Sequence, residues 1–172
     1  MDWELTKIST GDELSQIKDT WLNEIDDSDF LEYLEHRIFM TCERIVERDD
    51  PASLWVLKKN GAPTALVELS DASRGRDPSY KFLTLHLEPP LIIREKDDIS
   101  RDILEDIVET INYAIVKSFG EAQNSKDCKL KVFGSTELLN QGLFPALILA
   151  NDPKKTGMTL KRQAGWLIID RA

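Results

Sequence analysis

The sequence predicts an α+β domain: one mixed central sheet of about seven strands with about four helices, in the order β-α-α-β-β-β-α-β-α-β-β. Three observations carry this reading. Two apolar stripes at helical spacing, Leu14–Ile17–Trp21–Ile25 and Phe30/Leu31–Leu34–Ile38–Cys42–Ile45, precede the main strand region. Asn60-Gly61 then sits between two strand-like runs and signals a tight hairpin, because both residues tolerate positive φ. Finally, no glycine occurs between Gly75 and Gly120, where an alternating strand gives way to one long amphipathic helix.

Taken in order, Asp2–Ile8 sets Trp3 and Leu5 against Asp2, Glu4 and Thr6 as a first strand. Thr10-Gly-Asp-Glu13 has capping-box spacing and opens the first helix. Asp26-Asp-Ser-Asp29 ends that helix and caps the next, which runs from about Phe30 to Arg48 before Asp50-Pro51. Leu54–Leu57 and Thr64–Leu69 flank the Asn-Gly turn, residues 71–79 form a polar loop, and Tyr80–Leu87 alternates as a third meander strand. The long helix spans about Ser100 to Phe119, with Gly120 as its expected end cap. Lys129–Phe133 is a short strand. The following helix, with Leu138, Leu139, Leu143 and Ala146–Leu149, must break or kink at Pro145. Residues 151–157 form a loop, and Met158–Arg162 and Trp166–Asp170 pair around Gln163-Ala-Gly165. The whole chain, 1–172, reads as a single domain.

Composition narrows the class of function. The chain of 172 residues has a formal charge of −9, which argues against nucleic acid, whose phosphates need a basic face. The charge is uneven: residues 1–50 hold 15 acidic and 5 basic side chains, net −10, whereas 51–172 hold 16 and 17, net +1. That N-terminal excess is either a solvated helical surface or one that attracts a cationic small molecule or a basic protein. No apolar run is long enough for a membrane span, and the N-terminus lacks the pattern of a signal peptide. Cys42 and Cys128 are far apart and read as reduced thiols, so a cytoplasmic location is expected. Two histidines and two cysteines without recognised ligand spacing predict no metal site.

The element order resembles the GNAT superfamily of acyl-CoA-dependent N-acyltransferases over nearly the whole chain. The resemblance implies a splayed sheet in which the strands matching Tyr80–Leu87 and Lys129–Phe133 diverge, with acetyl-CoA or CoA in the gap and its pantetheine against strand backbone. It makes Leu87, Arg94 and Phe133 cofactor-binding candidates. The chain departs from the family at two places. The Arg-x-x-Gly-x-Gly/Ala loop that holds pyrophosphate is replaced here by Arg94-Glu-Lys-Asp-Asp-Ile-Ser100, without glycine and with Glu95, Asp97, Asp98 and Asp102 opposing a polyanion. The family's Asn-x-x-Ala-x-x-x-Tyr pattern has no tyrosine in the matching segment, Ser135–Phe144.

Two catalytic candidates follow. Glu88, at the end of the third meander strand, is either a general base for an amine or a solvent-facing carboxylate before Pro89-Pro90. His86 is either a proton relay or a packed histidine on the face of Phe82 and Thr84. Ser135 fits a helix cap better than a nucleophile, since no G-x-S-x-G surrounds it. Three functions remain open: an N-acyltransferase for a cationic amine with an altered cofactor loop, a non-catalytic acidic module that binds or neutralises a basic protein, and a small-ligand binding or regulatory domain that uses the splayed cleft without chemistry.

Overall fold

A computed structural model describes residues 2–48, 51–89 and 101–172. Its elements are β1 (Trp3–Lys7), α1 (Gly11–Leu22), α2 (Ser28–Tyr33), a π-helical segment (Leu34–Phe39), α3 (Met40–Arg48), β2 (Ala52–Lys59), β3 (Ala62–Asp71), β4 (Ser79–Leu87), α4 (Arg101–Lys126), β5 (Lys129–Phe133), a second π-helical segment (Leu138–Leu143), α5 (Phe144–Ala150), α6 (Pro153–Thr156), β6 (Met158–Gln163) and β7 (Trp166–Arg171). The seven strands form one mixed sheet in the order β1-β2-β3-β4-β5-β7-β6. The α+β class and the order of the main elements follow the sequence reading, with α2, the first π segment and α3 continuous as its second helix, while the short helix α6 forms within residues 151–157, where a loop is expected.

The chain falls into two compact units, residues 1–68 with 85–114 and residues 69–84 with 115–172. In the first, the N-terminus of α1 is fixed by the predicted capping box. The Thr10 hydroxyl accepts from the Glu13 amide at 3.3 Å, and Glu13 Oε2 accepts from the Thr10 and Ser9 amides at 3.4 and 2.8 Å. Asp27 caps α2 by accepting from the amides of Asp29 and Phe30, both at 3.0 Å. The expected stripes are buried: Leu14, Ile17, Trp21 and Ile25 from the first, and Phe30, Leu34, Ile38 and Cys42 from the second. Phe39 joins them, fully buried and edge-on to Trp21 at 5.9 Å. It lies off a 3.6-residue stripe; the wider π turn brings both Ile38 and Phe39 inward. The β2–β3 turn has the positive φ values that Asn60 and Gly61 were chosen for, 51° and 85°. Another cluster in this unit stacks Trp3 on Tyr113 at 4.7 Å, with the Lys59 ammonium 5.2 Å above the indole. Lys59 also holds Glu109 at 2.9 Å and Asp106 at 3.6 Å.

In the second unit, β4 and β5 run parallel, β5 and β7 antiparallel, and β7 and β6 form a hairpin. Ala164 and Gly165, with φ of 49° and 81°, supply its two-residue turn. Phe82, Leu130, Val132, Leu167 and Ile169 are buried along alternate strand positions, as are Phe119 and Ala122 of α4 and Phe144 of α5.

Two expectations are corrected here. Gly120 does not end the long helix, which continues to Lys126. The terminus is instead a Schellman-type cap built on Asp127 at φ 52°, with the Asp127 amide donating to Gln123 O and the Cys128 amide to Ala122 O, both at 3.1 Å. Ser135 is not the cap after β5; the Thr136 hydroxyl accepts from the Leu139 amide at 3.3 Å. The break at Pro145 takes the form of the second π segment directly before it, with Pro145 in the first turn of α5 where no amide donor is needed.

Candidate active site

The candidate residues arise from the ends of β4 and β5. The parallel β4–β5 register runs from Ser79↔Lys129 to Phe82↔Val132. β5 continues only to Phe133, whereas β4 continues through Leu83 to Leu87. Phe133 pairs instead with Trp166 of β7, their rings 5.0 Å apart.

In the first unit, His86, Leu87 and Glu88 close β4, and all three are half-buried. Strand alternation puts His86 and Leu87 on opposite faces. Burial lowers the His86 pKa below its usual value, so the imidazole is neutral around pH 7 with one ring nitrogen free to accept a proton. The Glu88 amide donates to Thr64 O at 2.8 Å, which fixes the backbone at the strand end. Arg94 and the rest of the glycine-free junction through Ser100 lie outside the described residues. Beyond it, Asp102 is exposed, and Arg101 is paired with Glu105 at 2.8 Å.

In the second unit, the turn after β5 is locked by side chains that the sequence reading passed over. The Gly134 amide donates to Gly165 O at 3.1 Å, and the Asn140 side-chain amide donates to Gly134 O. Gly134 is buried so tightly under Asn140 that a Cβ there would overlap the Asn140 amide group. Asn140 Oδ1 is buried and has no hydrogen-bond partner among the described residues. The signal for this latch was present as Gly134 with an asparagine six residues on, but no periodicity marks it.

A second missed group is Asp77, in the loop before β4. It bridges the ammonium groups of Lys129 and Lys131, the latter at 2.6 Å. Hydrogen bonds from these two lysines hold its carboxyl at about 2, well below the ordinary carboxylate range.

The other candidates fall away from chemistry. His36 is exposed, its Nδ1 3.4 Å from Met40 Sδ. Both cysteines are free and buried, and burial, with Glu68 and Glu43 nearby, pushes the Cys42 thiol up to about 12. Among the described residues no group of three or more His, Cys, Asp or Glu is placed to hold a metal, and no helix is long and apolar enough to cross a membrane.

Against solved structures, the chain superposes end to end on N-acetyltransferases. AAC(6')-Ib in complex with ribostamycin and coenzyme A aligns with a TM-score of 0.55 over 99% of this chain and 94% of that one, at 11% identity. The fold is GNAT-like. A chimera of the Vibrio cholerae spermidine N-acetyltransferase SpeG and hSSAT gives a TM-score of 0.51 at 14% identity, over 99% of this chain and 96% of that one. No protein-family model matches the chain, and no curated protein matches it in sequence. The GNAT-like relationship is therefore carried by three-dimensional structure, at identities that establish fold alone.

Proposed function

We propose that this chain is an acyl-CoA-dependent N-acyltransferase acting on a cationic amine. The observation that carries the proposal is β4, which runs on to Leu87 after its register with β5 has ended at Phe82. In a GNAT-like fold that stretch of strand backbone is where a pantetheine amide would pair, with Leu87 at its end as a proposed contact. When bound, acyl-CoA supplies an activated thioester carbonyl. Arg94 is the proposed phosphate contact.

The residues of this chain then have two tasks. An amine of lysine or polyamine type is protonated near neutral pH and must lose a proton before it can act as a nucleophile. Glu88 is the proposed acceptor of that proton, and His86, held neutral by burial, is the second candidate. The acceptor class rests on charge: the first unit holds 24 acidic and 10 basic side chains, net −14, which draws cations toward it. The structural neighbours include enzymes named for spermidine and for aminoglycosides, both amine-bearing acceptors.

The deciding experiment is a thermal shift with acetyl-CoA and free CoA. A ligand at 100 times its Kd adds about 2.7 kcal/mol of stability, or about 5–11 °C in a domain of this size. No shift at millimolar CoA would sink the proposal. The acidic first unit, with Glu95, Asp97 and Asp98 beside Arg94, supports a second reading as a non-catalytic module for a basic protein. That reading predicts salt-sensitive binding of a polylysine peptide together with no response to CoA.

A further inference from the structure

The second unit carries the opposite charge to the first, with 7 acidic and 12 basic side chains, net +5. Part of that excess is gathered on one face of its sheet. Lys81 of β4 lies directly across from Lys131 of β5 in the parallel register, and Lys131 lies across from Ile168 of β7. Lys129, two residues before Lys131, projects to the same face. Like charges set opposite each other on adjacent strands destabilise a sheet unless something neutralises them. Asp77 does so for Lys129 and Lys131, whose side chains are only 22% and 20% exposed. Lys81 has no ion-pair partner among the described residues. Two ammonium groups thus share the Asp77 carboxylate, and Lys81 stands across from Lys131 as a third.

This cationic cluster opens onto a cavity of about 300 Å³ lined by Asp77, Lys81, Lys131, Gln163, Trp166 and Ile168. Trp166 is half-buried and braced by Phe133, so one aromatic body is held in place at the cavity wall. Gln163, its cross-strand partner in the β6–β7 hairpin, is exposed and offers both an amide donor and an acceptor. The buried Ile168 supplies an apolar floor. We infer that this face of the sheet binds a small organic anion carrying a planar ring, with the anionic head between Lys81 and Lys131 and the ring against Trp166. An ammonium is a compact point charge that accepts either a phosphate or a carboxylate head. The indole supplies a stacking surface, and the volume, at the lower end for ligand pockets, suits one ring and one head group. The inference stands independently of acyl transfer.

The test is calorimetric titration of the full chain with adenosine monophosphate and with benzoate, beside their neutral counterparts adenosine and benzyl alcohol. At least one anion is expected to saturate. Its neutral counterpart should bind at least about tenfold more weakly, since hydrogen bonds to a charged group contribute on that scale. Saturation by adenosine monophosphate alone assigns a phosphate head, by benzoate alone a carboxylate head, and by both a site that reads only charge and ring. Lys81→Gln removes no ion pair found among the described residues, so it should keep the fold. It is expected to weaken binding about tenfold, as is high salt. The inference is overturned if neither anion saturates below about 10 mM, corresponding to a binding free energy weaker than about 3 kcal/mol. It is equally overturned if a neutral counterpart binds as well as its anion, or if Lys81→Gln leaves the affinity unchanged. The last result would place the anion elsewhere, including at a CoA site, so failure here and failure of the acyltransferase proposal are read from different measurements.

Discussion

Replacing Gly134 with alanine tests whether the junction after β5 is built as described. Gly134 does not adopt a positive φ, so alanine meets no backbone penalty there and the effect is steric alone. A new Cβ would overlap the side-chain amide of Asn140. Overpacking a tight site costs about 1–3 kcal/mol. If the amide swings away instead, its hydrogen bond to Gly134 O is lost, at about 1 kcal/mol. Either way the penalty is about 1–3 kcal/mol, which lowers the melting temperature by about 2–12 °C in a domain of this size. Asn140→Ala alone should cost only the hydrogen bond, about 1 kcal/mol. The Gly134→Ala/Asn140→Ala double variant regains the space and should also sit about 1 kcal/mol below the parent, which makes the pair strongly non-additive. Urea denaturation of the four proteins measures this cycle. Additive penalties, or a Gly134→Ala protein that melts within a degree of the parent, would refute the packing.

Three further outcomes follow from particular residues. Gly120 lies inside α4 with open space where a Cβ would go, so Gly120→Ala should raise stability by about 0.5–1 kcal/mol, seen as a higher melting temperature; a loss would return Gly120 to the role of helix cap. Phe39→Ala empties a fully buried ring site and should cost about 3–5 kcal/mol in chemical denaturation, whereas a small loss would mean that the π turn does not direct Phe39 inward. The Asp77 carboxyl is depressed to about 2 in the folded state, so its pairs with Lys129 and Lys131 contribute fully above about pH 4 and are lost as pH falls through about 2. Carboxyl titration by NMR should show that midpoint, and Asp77→Asn should flatten the acid limb of the stability curve; a midpoint near the ordinary value would break the bridge.

Most of the scaffold was legible because its determinants are local. The Thr10–Glu13 box, the Asn60-Gly61 turn and the apolar stripes are short-range patterns, and each element formed where its pattern lay. What was missed depends on geometry that a periodic count does not hold. A π turn shifts the buried face by a residue, so Phe39 fell off the stripe. Gly120 resembled a helix end because glycine usually marks one, yet Asp127 took the left-handed position seven residues later, just before the next strand. Of the candidate site, His86, Leu87, Glu88 and Phe133 could be placed at strand ends from sequence. The Gly134–Asn140 latch and the Asp77 bridge could not, since each joins a loop residue to a side chain whose position only the fold decides.

Charge is where the fold adds most to the sequence. Along the chain the imbalance is −10 for residues 1–50 and +1 for the remainder. Folding regroups it, because residues 85–114, with eight acidic and three basic side chains, join the N-terminal unit. The result is −14 against +5, a polarity that no contiguous division into thirds reveals. For the proposed reaction the net −14 of the first unit draws a cationic amine toward it. Exposed charges act over about 8–10 Å at physiological ionic strength, and over about 3 Å at 1 M salt. Raising salt should therefore increase KM for the amine by weakening long-range attraction. Steady-state kinetics at two salt concentrations checks this. A KM for the amine that does not rise with salt would show that its affinity is not governed by the charge of the first unit.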